Sequence, residues 1–99
     1  MITLLADVYK KSYDGDLVAE RITSMSSDNV QIKRMIRTLL YKQGRASLKQ
    51  IAEAEASITG KKPPGSNAIH NSIRRDDYMV NAPDLYEKVN DAIIDVFSF

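Results

Sequence analysis

Between Asp28 and Gly44 the chain reads DNVQIKRMIRTLLYKQG, and Ile32, Met35, Ile36, Leu39 and Leu40 recur there at i, i+3, i+4, i+7 and i+8. That period lines up apolar side chains along one stripe of an α-helix; a strand, whose side chains alternate, could not bury them together. Asp28 and Gln31 have the spacing of a capping box, which predicts the helix start, and Gly44 supplies a stop. Lys33, Arg34, Arg37 and Lys42 fall off the stripe.

The rest of the chain reads in the same helical period. Leu4, Leu5, Val8 and Tyr9 predict a helix over Ile2–Tyr13, broken by YDGD. Leu17, Val18, Ile22 and Met25 make a weaker second pattern. Ser47 and Gln50 form another capping-box pair, opening a short helix from about Leu48 to Ala56 with Leu48, Ile51 and Ala52 inward. SITGKKPPG is a loop, because its glycines and prolines cannot occupy a helix interior. Ser66 can cap the next helix, Asn67 to about Arg75, and YMV is a candidate short strand. Asp84 and Glu87 repeat the capping-box spacing before an apolar stripe of Leu85, Val89, Ala92, Ile93 and Val96, which predicts a C-terminal amphipathic helix to about Phe97. The expectation is one mainly α or all-α domain over residues 1–99.

A chain of 99 residues buries only about two-thirds of its unfolded surface, so the core is modest and a dimer is compatible with it. The sequence holds no cysteine and one histidine. That removes disulfides, thiolate nucleophiles and most zinc sites. There is no glycine-rich phosphate loop and no evident acid pair on one face, so the expectation is no enzyme, no catalytic residue, no cofactor and no metal. The start lacks a signal-peptide pattern and no stretch reaches the roughly 20 apolar residues of a membrane span. A soluble, cytoplasmic protein is expected.

The net charge is +1, but its distribution is uneven. Residues 1–32 carry three bases and five acids, residues 33–75 ten bases and two acids, and residues 76–99 one base and six acids. The middle is therefore +8 between segments of −2 and −5. Such a basic block suggests a face built for an anion.

Within that block, a helical wheel at about 100° per residue separates two sides of Asn67–Arg75. Ile69 and Ile73 fall on one; Asn67, His70, Asn71 and Arg74 fall on the other. Asn can pair bidentately with adenine and Arg with guanine in the major groove. Arg75 at the edge suits a phosphate, and Ser66 at the helix start is counted with this surface. Upstream, the Ser47 end of the preceding helix offers free backbone N–H groups to a phosphate oxygen. Arg45, Lys49, Lys61 and Lys62 are expected to surround that same region. Each residue also has an ordinary reading as a solvated position, with Arg74 and Arg75 paired to Asp76 and Asp77.

The order of helix, short helix, turn and polar-faced helix over about Asp28–Tyr78 resembles the helix-turn-helix superfamily and, more loosely, its winged-helix branch. The resemblance implies that the helix around Asn67–Arg75 enters the major groove while Leu48–Ala56 braces the backbone. The connection Ser57–Gly65 is longer than the three or four residues of the tight motif. A wing would need Tyr78–Val80 to pair with Leu85–Lys88; the capped helix competes for those residues and is preferred, leaving the wing short or absent. The expected function is sequence-specific binding of double-stranded DNA, as a small transcriptional regulator. The helix over residues 85–97 either completes the core or pairs two subunits. The alternative is a helix-turn-helix adaptor that binds a transcription or replication protein.

Overall fold

The stripe of Ile32, Met35, Ile36, Leu39 and Leu40 is buried along its whole length. It lies on the third of six helices in a computed structural model that describes residues 1–15, 17–73 and 81–98. In chain order these are α1 (Ile2–Ser12), α2 (Val18–Thr23), α3 (Ser27–Lys42), α4 (Leu48–Thr59), α5 (Ser66–Ile73) and α6 (Pro83–Val96). There is no strand among the described residues. Helix α3 is the hub and packs against all five others. One apolar cluster draws on every helix: Leu5, Val8 and Tyr9 of α1, Ile22 of α2, the α3 stripe, Ile51 of α4, Ile69 of α5, and Val89 and Ile93 of α6. The radius of gyration of 12.0 Å is close to the roughly 13 Å of a folded 100-residue domain.

The helix ends show which local signals operate. At the end of α3, Gly44 takes φ +68°. Its N–H donates to the Tyr41 carbonyl at 3.1 Å, and the Arg45 N–H donates to the Leu40 carbonyl at 3.0 Å. These two bonds are a Schellman motif, which satisfies carbonyls that the helix leaves free. At the start of α4 the capping box forms in full. Ser47 Oγ accepts from the Gln50 N–H at 3.2 Å, and Gln50 Oε1 accepts from the Ser47 N–H at 3.0 Å.

The other two boxes do not form. Helix α3 begins earlier than expected, with Ser26 as N-cap, so Asp28 sits inside the first turn without a side-chain capping bond. There its charge faces the positive helix end. Helix α6 is capped at Ala82 and opens with Pro83, whose missing N–H and fixed φ suit the first helical position; Asp84 again falls in the first turn.

Three further expectations change, and the preferred helix at residues 85–88 holds. Helix α4 runs one turn past Ala56, because no breaker precedes Gly60 and Ile58 packs onto the core. The α4–α5 connection is therefore Gly60–Gly65. Leu17 and Met25 do not point inward; they are 57% and 89% exposed, since the short α2 reaches the core only with Ile22 and Val18. Helix α5 starts at Ser66, with the Gly65 carbonyl accepting from the Ile69 N–H, so Ser66 is inside the helix and does not cap it. Residues 85–88 are helical, which removes the hairpin alternative. The candidate strand Tyr78–Val80 lies outside the described residues.

The apolar stripe of α6 packs within the chain. Val89, Ala92 and Ile93 are buried, and α6 rests on α1 and α3. Exposed ion pairs, Lys11 with Asp95 and Lys88 Nζ with Asp14 Oδ2 at 2.7 Å, join α1 and its turn to α6. Pairs so exposed stabilise little; the apolar contact between these helices holds them.

Candidate nucleic-acid interface

Helix α5 is short and amphipathic. Ile69 is fully buried and Ile73 nearly so, against α3 and α4. Burying each contributes roughly 1.5–3 kcal/mol, enough to dock an eight-residue helix that would not form alone. Ser66, Asn67, His70 and Asn71 are all exposed, so the wheel's outer side is the solvent side. Arg74 and Arg75 lie outside the described residues.

Arg34 of α3 joins this face. With Ala68, Asn71 and Ser72 it lines a groove of about 320 Å³ between α3 and α5. In the sequence Arg34 stands out only as a position off the apolar stripe. Helical periodicity reports which residues leave a core; it does not report which neighbouring helix they meet.

The flanking cations do not form one group. Arg45, Ser47 and Lys49 stand at the start of α4, and Lys61 and Lys62 follow its end. The rest of α4 after Lys49, residues 50–59, separates the two sets by about 15 Å of axis. The expectation of one shared region is therefore corrected to two basic positions at opposite ends of α4. Lys49, Lys61 and Lys62 are exposed. Arg45 is engaged, its guanidinium 4.8 Å from the Phe97 ring centroid and its Nε donating to Gln43 Oε1 at 3.0 Å. The capping box also consumes the Ser47 and Gln50 N–H groups, so fewer donors remain at that helix start for an anion.

Electrostatically, α4 and α5 share with α1 an N-terminus without acid in its first turn. Helices α2, α3 and α6 have Glu20, Asp28 and Asp84 there. The positive ends of α4 and α5 are left uncompensated, which favours an approaching phosphate.

Beneath α5 lies a buried polar network absent from the sequence reading. Arg37, expected off the stripe, is only 7% exposed. Its Nη2 donates to Glu55 Oε1 at 2.6 Å and its Nε to Glu55 Oε2 at 2.7 Å. The Tyr9 hydroxyl donates to Glu55 Oε2 at 2.5 Å, and Arg37 Nη1 donates to Ser72 Oγ at 2.8 Å. Four helices, α1, α3, α4 and α5, are thus tied at one point. Burial opposes the Arg37 charge, but the hydrogen bonds and charge of Glu55 outweigh it and raise its pKa. Burial, reinforced by the Glu55 carboxylate, holds the Tyr9 hydroxyl protonated well above the usual tyrosine range. One signal was available: Glu55 stands at i+4 from Ile51 and i+3 from Ala52, on the apolar side of its helix.

Among the described residues no group of three or more His, Asp or Glu side chains could hold a metal ion, and no helix is long and apolar enough to cross a membrane. No family model, curated protein or solved structure matches the chain.

Proposed function

We propose that the chain binds double-stranded DNA in a sequence-dependent way, with α5 in the major groove and α4 against the backbone, as a small transcriptional regulator. One observation carries the reading: α5 is anchored by Ile69 and Ile73 and turns Asn67, His70 and Asn71 to solvent beside Arg34. Asn and Arg side chains on an exposed helix face suit base edges. The exposed Lys49, Lys61 and Lys62 suit phosphates, which position a protein without reading sequence. The acidic outer side of α6, with Asp84, Glu87, Asp91 and Asp95 exposed, favours an orientation that keeps α6 away from the duplex.

One helix of this size supports modest specific affinity, so a second copy would strengthen binding. The buried stripe of α6 is not free for it; pairing through α6 would use its outer side, where Ile94 is half exposed.

The test is selection of bound sequences from a random duplex library at near-physiological salt. A recovered motif supports the reading, and a palindrome adds a symmetric dimer. Only salt-sensitive background, with no enrichment, would overturn it and favour a protein adaptor with the same helical arrangement.

A further inference from the structure

A second basic feature lies on another side of the Arg37–Glu55 pair. A cleft of about 300 Å³ opens where the end of α2 meets α3, α4 and the Gly60–Gly65 turn. Lys33, Lys61, Lys62 and Thr59 line it, together with Arg37 and Glu55. Among the described residues Glu55 is the sole carboxylate of this lining, and both its oxygens are already taken by Arg37. With that pair neutral, the three lysines leave the cleft with a charge of +3.

Lys33 is the informative member. It is half-buried, and its ammonium donates to the Ile22 carbonyl at 3.1 Å. An ammonium has three donors, and among the described residues no carboxylate forms an ion pair with this one; Glu55, whose charge reaches it, is held by Arg37. Burial, then the nearby Arg37 charge, holds its pKa below the usual lysine range, so the cation is held at a cost that a bound anion would relieve. Thr59 Oγ1 accepts from the Lys61 N–H at 3.2 Å, which leaves its own proton to donate. Gly60 at φ +70° and the following Pro63–Pro64 pair hold the lysine-bearing turn across the cleft mouth.

We infer that this cleft is a phosphate-binding site, in which Lys33, Lys61 and Lys62 surround the phosphate and the Thr59 hydroxyl donates to it. Lysine suits this ligand as a point charge, and several ammonium groups match its several acceptor oxygens. The volume is at the small end of ligand pockets, fitting a phosphate group or small phosphorylated molecule more than a dinucleotide. The site goes beyond the DNA reading and does not depend on it, since the phosphate can come from a free ligand or from a duplex backbone.

The experiment titrates the full chain with inorganic phosphate at constant ionic strength, balanced with chloride, and follows amide and lysine side-chain NMR signals and the thermal midpoint. Phosphate is expected to shift signals of Lys33, Thr59, Lys61 and Lys62 saturably and to raise the midpoint. Lys33→Gln is expected to weaken this binding by about tenfold or more. Lys61→Gln with Lys62→Gln, on exposed positions that leave the core intact, is expected to weaken it similarly. A response no larger than that to chloride, or one unchanged in the lysine variants, overturns the site. A random-sequence duplex then separates the sources. Displacement of the duplex by phosphate, lost in Lys33→Gln, assigns the site to backbone phosphate; phosphate binding with duplex affinity unchanged in Lys33→Gln assigns it to a free ligand.

Discussion

Arg37 and Glu55 meet in a side-by-side pair, Nη2 to Oε1 at 2.6 Å and Nε to Oε2 at 2.7 Å, with both side chains more than nine-tenths buried. Two charges this far from water are tolerated only because each satisfies the other and because Tyr9 and Ser72 take remaining hydrogen-bonding positions. Removing one partner strands the other. Glu55→Ala is therefore expected to cost about 3–5 kcal/mol in urea unfolding. Replacing both together, Arg37→Met with Glu55→Leu, is expected to recover most of that loss. A cost below about 1 kcal/mol for Glu55→Ala would mean that the pair is solvated in solution.

Alkaline pH tests the same network from the tyrosine side. Burial and the Glu55 carboxylate raise the pKa of both Tyr9 and Tyr13 above the unfolded value of about 10. The folded state thus keeps protons that the unfolded state releases. Their contribution to stability is complete below about pH 10 and is lost progressively as pH rises beyond it. Urea midpoints measured across that range, with tyrosinate absorbance followed in parallel, should show these two rings ionising only as the chain unfolds. Full ionisation of all the tyrosines in the folded protein at about pH 11 would contradict this.

Thr38 is 3% exposed, and its hydroxyl has no hydrogen-bond partner among the described residues. A buried unpaired hydroxyl carries a desolvation penalty that an apolar group of the same shape avoids. Thr38→Val is expected to raise stability by about 1 kcal/mol, read from the unfolding midpoint. A loss of similar size would show that the hydroxyl is bonded in solution.

Asn71 is exposed on α5 and lines the groove with Arg34, so it can be changed without disturbing the core. Asn71→Ala should leave stability within about 0.5 kcal/mol. On a selected DNA site it should cost about 1–3 kcal/mol and relax preference at one base position. Equal binding of cognate and random duplex by wild type and variant would remove α5 from the readout.

How much of this was legible in the chain follows from the range of each interaction. The α3 stripe, the Ser47–Gln50 box, the Gly44 stop and the Ile69–Ile73 anchor were all readable, because each joins residues at most eight positions apart whose geometry the helix itself sets. Capping boxes at Asp28 and Asp84 were misread because Ser26 and Ala82 compete for the same helix starts, and spacing alone does not rank the competitors. The candidate recognition residues of α5 were identified as an outward set, but Arg34 beside them was not, and Arg45 and Lys49 were grouped with Lys61 and Lys62 although α4 separates them.

The amino-acid sequence by itself determined that the chain is helical, where most helices lie, and that its middle is basic, since period and charge are local properties. Only the tertiary structure decided that Arg37 turns inward to Glu55, eighteen positions away, that Tyr9 reaches the same carboxylate across forty-six, and that Lys33 shares a cleft with Lys61 and Lys62. A charged side chain reads as solvated until its partner is known, and that partner is chosen by packing between helices, which no local pattern encodes.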